Sequence, residues 1–319
     1  MNILFAGFRH GHIMGLYDMA MENPNVNIVG CYEADIPNSI VADNTEINFN
    51  YTSYEEALKN DEIDAVAIGD YYGIRGKMVI AALKAGKHVI CDKPICTDLK
   101  ELKEIEKLVK KTGLKVACML DLRYMPQADK AKEMIADGVI GEVKNVSFTG
   151  QHCLDYGNRP HWYYEAGKHG GTINDIAIHG VDLIRYITGK NLTKVHYART
   201  WNSFAKEEPD FKDCGQFMAD MEGMALMADV SYAAPKFEGT MPTYWEFYFW
   251  GTEGMIKFHL ASNRIHLYKT NEEIIECAPT TIEHMRDFIR ETNGEATVLD
   301  TDDILKSQRQ VLTIQKASK

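Results

Sequence analysis

The stretch NILFAGFRHGHIMGLY, residues 2–17, reads as a short apolar strand running through a glycine turn into a helix. Ile3 to Ala6 carry no polar alternation, so both faces of that strand need cover, as in a parallel sheet flanked by helices. Gly7 follows the strand directly, where a dinucleotide turn needs positive φ or a close backbone approach, and the next helix brings free N–H groups for a diphosphate. Against the pattern G-x-G-x-x-G, Arg9 and His12 occupy the second and third glycine positions, while Gly11 offers a permissive position one residue early. Phe8, Arg9, His10 and His12 are thus candidate cofactor contacts with Gly7 and Gly11, the cationic side chains standing beside a diphosphate. A glycine after a parallel strand is also an ordinary turn, so these residues alone leave both readings open.

Working outward, VNIVGCY, IDAVAIG, KHVIC and LKVACML are further continuous apolar strands, and YEEALKN, GKMVIAALKAG and TDLKELKEIEKLVKKTG carry helical periodicity between them. The last helix takes Thr97 or Asp98 as N-cap and stops at Gly113. Alternation of this kind predicts a doubly wound parallel sheet over residues 1–122. Glu33, at the end of the second strand, lies 26 residues after Gly7, near the ~20-residue offset of the acid that grips a ribose. A carboxylate there accepts from the ribose hydroxyls and repels a 2′-phosphate, which favours NAD over NADP; it is equally placed to be a solvated loop acid.

Residues 123–319 follow a different pattern. A helix PQADKAKEMIADG, the run GEVKNVSFTGQH and the helix INDIAIHGVDLIRYITG precede successive strands KVHYART, CGQFMADM, MALMADVSYAA, YWEFYFWG, MIKFHLAS and RIHLYKT, with a helical tail. Strands without intervening helices predict a second α/β domain with a large, mainly antiparallel open sheet.

The chain has 319 residues, 45% hydrophobic and 25% charged, with a formal net charge of -11. That acidity argues against a nucleic-acid surface. No stretch reaches membrane-spanning length, and Arg9 and His10 interrupt the first apolar run, so a cytoplasmic protein is expected. The seven cysteines are odd in number and lack a C-x-x-C pair, consistent with reduced core residues.

Two constellations bear chemistry. AGKHVICDKP, residues 85–94, sets Asp92, Lys93 and Pro94 at the carboxyl end of a buried strand, where doubly wound sheets bind ligands, and Pro94 restrains Lys93 and admits a cis bond. HGGTINDIAIHGVDLIRYITG, residues 169–189, places Asp175 and His179 at i and i+4 on one helical face, a spacing that also describes plain helix-surface partners.

The segments DAVAIGDYYGIRGKMVIAALKAGKHVICDKP, RYMPQADKAKEMIADGVIGEV, GGTINDIAIHGVDLIRYITG and FWGTEGMIKF, in this order, resemble the glucose-fructose oxidoreductase/inositol dehydrogenase (Gfo/Idh/MocA) family. The resemblance implies an N-terminal Rossmann domain, a C-terminal α/β domain used for substrate binding and oligomerisation, and NAD(P)-linked redox chemistry on sugars or polyols. It implies that Lys93 polarises the reacting oxygen, with Asp92 in place of the family's glutamate in E-K-P, and that Asp175 and His179 form its D-x-x-x-H pair. Arg123 and Tyr124, with Pro126, match its R-[FY]-x-P element, where the arginine faces the sugar. Asp70, Arg75, Asp92 and Pro94 join the candidate cofactor contacts; Arg75 stands where many relatives have a histidine.

On this reading His179 removes the hydroxyl proton as hydride leaves, its ordinary pKa of ~6.5 suiting the task, and Lys93 stabilises the alkoxide. His152, Trp162 and Tyr163, in the loop GQHCLDYGNRPHWYYEAGKHGG, are candidate substrate contacts of the sugar-stacking kind. Apart from Asp175 and His179 no pair there has tight ligand spacing, and no metal is expected. A homo-oligomer, dimer or tetramer, is implied by the resemblance alone. Two other readings stay open: a glycosidase that retains NAD and cleaves by transient oxidation and elimination, and a non-catalytic dinucleotide- or sugar-sensing regulator.

Overall fold

The structure is a computed structural model describing residues 1–318. It divides into two compact units: residues 1–119, 160–170 and 283–309 form the first, and residues 120–159, 171–282 and 310–318 the second. The break expected after residue 122 falls at 119–120, and two later segments return to the first unit. The first return holds one short helical turn, His161–Tyr163, and the second is largely helical; neither adds a strand to the parallel sheet.

The first unit is built on β1 (Asn2–Phe8), β2 (Asn27–Tyr32), β3 (Ala65–Gly69), β4 (His88–Cys91) and β5 (Val116–Cys118), parallel and in the order β2-β1-β3-β4-β5. Ile3–Ala6, Ala65–Ile68 and Val89–Cys91 are fully buried, as their continuous apolar sequence requires. The helices are α1 (His12–Glu22), α2 (Tyr54–Leu58), α3 (Tyr72–Lys84) and α4 (Leu99–Thr112). Asp98 caps α4, its carboxylate accepting from the Lys100 and Glu101 amides, and Gly113 at φ 74 ends it. The strand order reverses between β1 and β3, so the crevice at their carboxyl ends is the topological switch point where such sheets bind ligands.

The second unit holds α5 (Pro126–Ala136), β6 (Val143–Cys153), α6 (Ile178–Thr188), β7 (Leu192–Trp201), β8 (Cys214–Met221), β9 (Met224–Ala234), β10 (Glu246–Gly251), β11 (Met255–His259), β12 (Arg264–Tyr268) and β13 (Glu272–Glu276). Its eight strands run β13-β12-β11-β10-β6-β9-β8-β7, antiparallel except for β6 against β9. One face packs on α6: a side chain at Gly180 would collide with Phe148 of β6. On the sheet, Tyr197, Met218, Met227 and Trp250 are about half exposed. The chain ends with α7 (His284–Thr292) and α8 (Thr301–Ala317). All seven cysteines are free and six are buried, in accord with the reduced-core expectation. Among the described residues no helix is long and apolar enough to cross a membrane.

Candidate functional site

In the first unit the turn after β1 closes on the turn after β3. The Arg9 and His10 amides both donate to the Gly69 carbonyl, at 3.1 and 3.2 Å. Gly7 sits at φ +80, and a Cβ there would lie 2.5 Å from the Asp70 Cβ, so only glycine fits. Gly11 differs from expectation: its φ of -58 and ψ of -29 are ordinary helical values. Its value is open space, since nothing lies within 4 Å of where a Cβ would stand. A tight first glycine beside a clear approach to the start of α1 fits a dinucleotide.

Glu33 is buried and faces this turn, Oε2 accepting from the Phe8 amide at 2.6 Å and Oε1 from the Asp35 amide at 2.9 Å. The Arg9 guanidinium lies 3.6 Å from Glu33 and 3.3 Å from Asp35. Arg9 thus lies between two acids, nearer the part-exposed Asp35 than the buried Glu33. Asp70, mostly buried and near Glu33, has its pKa raised to about 6 by burial first and by that neighbouring charge second.

Asp92 is fully buried and gathers three side chains: His10 Nδ1, His12 Nδ1 at 3.1 Å and Arg75 Nη2 at 2.9 Å. Burial alone would raise its pKa, but His10, Arg75 and His12 together hold it well below the carboxylate range. Burial lowers His10 to about 4, so the imidazole is neutral near pH 7. Arg75, fully buried, also donates from Nε to the Asp70 carbonyl at 2.6 Å and from Nη1 to the carbonyls of Asp92, Lys93 and Pro94 at 2.9, 2.5 and 3.3 Å. Arg75 and Asp92, expected as cofactor contacts, are thus an internal clamp on the segment that carries Lys93. Their polar atoms face one another because an unpaired buried charge would be far costlier. Lys93 is buried with its ammonium 5.7 Å from the Tyr72 ring centroid, and its bond to the buried Pro94 is cis.

Trp162 and Tyr163 belong to this first unit and are each 2% exposed. Trp162 Nε1 donates to the Arg9 carbonyl at 2.9 Å, its ring packs edge-on against Tyr72 at 4.9 Å, and Tyr163 meets Tyr72 hydroxyl to hydroxyl at 3.0 Å. With their faces already packed, both support the turn from behind instead of presenting a surface for a sugar.

In the second unit Asp175 lies in a π-helical turn, Ile173–Ala177, immediately before α6, and His179 stands in the first turn of that α-helix. The simple i, i+4 face becomes a widened turn of a kind that recurs at functional sites. Tyr232 of β9 donates its hydroxyl to Asp175 Oδ2. The indole of Trp245 lies 5.9 Å from the His179 ring and 5.6 Å from the His152 ring, at centroids. Trp245 itself is 1% exposed and has φ 53, a left-handed backbone that bulky residues rarely adopt. Tyr232 and Trp245 were not visible as site residues in sequence, where both read as strand positions. Arg123 makes a buried bidentate pair with Asp182, at 2.8 and 2.7 Å, which braces α6, and Tyr124 is buried beside it.

Two family models match: residues 1–119 as "Oxidoreductase family, NAD-binding Rossmann fold" and residues 128–257 as "GFO/IDH/MocA C-terminal domain". The chain belongs to the GFO/IDH/MocA oxidoreductase family. Among its relatives, the uncharacterized oxidoreductase YrbE of Bacillus subtilis is 29% identical over 54% of this chain and 48% of its own length. The scyllo-inositol 2-dehydrogenase (NAD(+)) of the same organism is 32% identical over 56% of this chain and 52% of its own. The chain thus spans about half the length of these curated relatives. A protein of Erwinia carotovora atroseptica shares the fold throughout, with a TM-score of 0.88 and 23% identity over 100% of this chain and 99% of that one. Asp92 and Arg75, two of the positions singled out in the sequence, are partners in one buried ion pair.

Proposed function

We propose that this chain is an NAD-dependent dehydrogenase or reductase that moves a hydride between nicotinamide and a secondary alcohol or ketone of a sugar, inositol or sugar derivative. The observation that carries the reading is buried Lys93, held by the Arg75 clamp at the carboxyl end of β4, in the sheet whose switch point bears the Gly7 turn. The named relative that acts on scyllo-inositol supports the substrate class. The Gly11 and His12 amides at the start of α1 would meet the diphosphate and Glu33 the ribose; bound nicotinamide supplies the hydride acceptor. A 2′-phosphate would meet Glu33 and Asp35, whose neighbouring Arg9 is already paired to both, which favours NAD over NADP.

His179 takes the hydroxyl proton, Asp175 holds a neighbouring substrate hydroxyl, and the Lys93 ammonium lowers the cost of the alkoxide by a few kcal/mol. Tyr232 fixes the Asp175 carboxylate through its hydroxyl. Denaturing the purified protein and identifying released nucleotide, then titrating the stripped protein with NADH and NADPH, tests the reading. Binding of NADH, turnover on a polyol and aldose panel, and loss of turnover in Lys93→Ala and His179→Ala with NADH binding retained are expected. Failure to bind either nucleotide would refute it; tightly held NAD with cleavage of a glycoside and no net reduction would replace it with the eliminating mechanism.

A further inference from the structure

His12 is unexplained by nucleotide binding: it stands where a dinucleotide turn takes glycine, yet its imidazole is turned onto a buried carboxylate. We propose that His10, His12 and Asp92 form a binding site for a divalent transition-metal ion of the zinc class. Among the described residues this is the group whose ligating atoms converge, each lying within 4.8 Å of the others. His12 Nδ1 is 3.1 Å from Asp92 Oδ1, and His10 Nδ1 meets Asp92 Oδ2, so both imidazoles present the same nitrogen to one carboxylate. Bonds of ~2.0–2.2 Å in a tetrahedron separate donor atoms by roughly 3.3 Å, so the His12–Asp92 spacing is already that of a ligated ion and His10 needs only a small rotation.

The donor set selects the metal. Two imidazoles and one carboxylate suit Zn²⁺, Co²⁺ or Ni²⁺, whereas Mg²⁺ and Ca²⁺ require mostly oxygen ligands. Arg75, bonded to Asp92 Oδ2 at 2.9 Å, supplies the outer hydrogen bond that orients a ligating carboxylate. The His12 side chain is 42% exposed while that of Asp92 is buried, so ion and solvent reach the cluster from the His12 side and the fourth position stays open there. Because Arg75 already offsets the Asp92 charge, the bound ion keeps excess positive charge and its open position suits an anionic ligand. The inference does not depend on the dehydrogenase reading.

The test is a titration of the full chain, chelator-treated and desalted, with Co²⁺ alone, read by the visible absorption of low-symmetry cobalt and by calorimetry. One Co²⁺ per chain, displaced by Zn²⁺ but not by Mg²⁺, and at least tenfold weaker in His12→Ala, is the expected result. His12 is half exposed, so its replacement leaves the fold intact, which circular dichroism checks. His196→Ala, at an exposed pair with Asp220, is the control and keeps the site. No cobalt absorption in the parent, or binding that survives His12→Ala or falls with His196→Ala, overturns the proposal. Nucleotide binding is measured separately, so loss of one reading leaves the other standing.

Discussion

Replacing Arg75 by methionine removes a guanidinium that reaches four backbone carbonyls and one carboxylate, all inside the first unit. Methionine fills much of the volume, so the loss is electrostatic. Breaking a buried ion pair from one side costs about 3–5 kcal/mol, because the remaining charge is left in low dielectric. Each orphaned buried carbonyl adds up to about 1–3 kcal/mol, though the terms overlap and do not sum. His10 and His12 still donate to Asp92, which keeps the expected cost near the 3–5 kcal/mol of the pair. Arg75→Lys restores the charge but cannot fork across the carbonyls of Asp92, Lys93 and Pro94, so about 1–3 kcal/mol is expected for it. Urea unfolding at neutral pH, followed by tryptophan fluorescence, measures both variants. If Arg75→Met fails to fold, Arg75→Lys carries the test. An Arg75→Met protein within about 1 kcal/mol of the parent would refute the clamp and leave Asp92 resting on its two histidines.

Two further predictions follow from the same turn. Asp70 has a folded pKa of about 6 against an ordinary 3.8, so the folded state binds more protons than the unfolded one between those values. Stability is therefore lost as pH rises through that window; Asp70→Asn, which still accepts from the Tyr71 amide, should match the parent near pH ~4 and gain up to about 3 kcal/mol above pH ~6, and an equal gain at both would sink the assignment. Gly7→Ala should weaken nucleotide binding by tenfold or more, since its Cβ meets Asp70 backbone atoms at 2.7 and 2.8 Å, while Gly11→Ala, with open space around it, should leave stability unchanged or raised by about 0.4–1 kcal/mol. Equal nucleotide affinity in the parent and Gly7→Ala would show that the turn does not need its glycine.

The parallel sheet was readable because burial on both faces leaves a continuous apolar signature: VAIG and HVIC can be nothing but inner strands once helices alternate with them. Local chemistry made the α4 ends equally plain, at Asp98 and Gly113. β13 escaped notice for the opposite reason. Its sequence EEIIE is charged and mostly exposed, an edge strand whose place is set by backbone pairing to β12 and by cross-strand pairs such as Arg264 with Glu276 at 2.6 Å. Nor could periodicity show the π-helical turn at Ile173–Ala177, since one extra residue per turn leaves the apolar pattern of the flanking helix intact.

The site was legible in its residues but not in their allegiances. Sequence offers every cation near a glycine turn as a partner for phosphate; the fold distributes them by the depth of the nearest carboxylate. Arg9 sits between Glu33 and Asp35, and Arg75, His10 and His12 go to Asp92, because a carboxylate with no access to water must find its donors within the protein. The same rule explains the buried bidentate pair of Arg123 with Asp182. The approach to the start of α1 is left open at Gly11, where nothing lies within 4 Å of where a Cβ would stand. A nucleotide turn without its second and third glycines stays workable on these terms, because Arg9 turns toward Glu33 and Asp35 and His12 toward Asp92, and Gly11 leaves the approach to the helix clear.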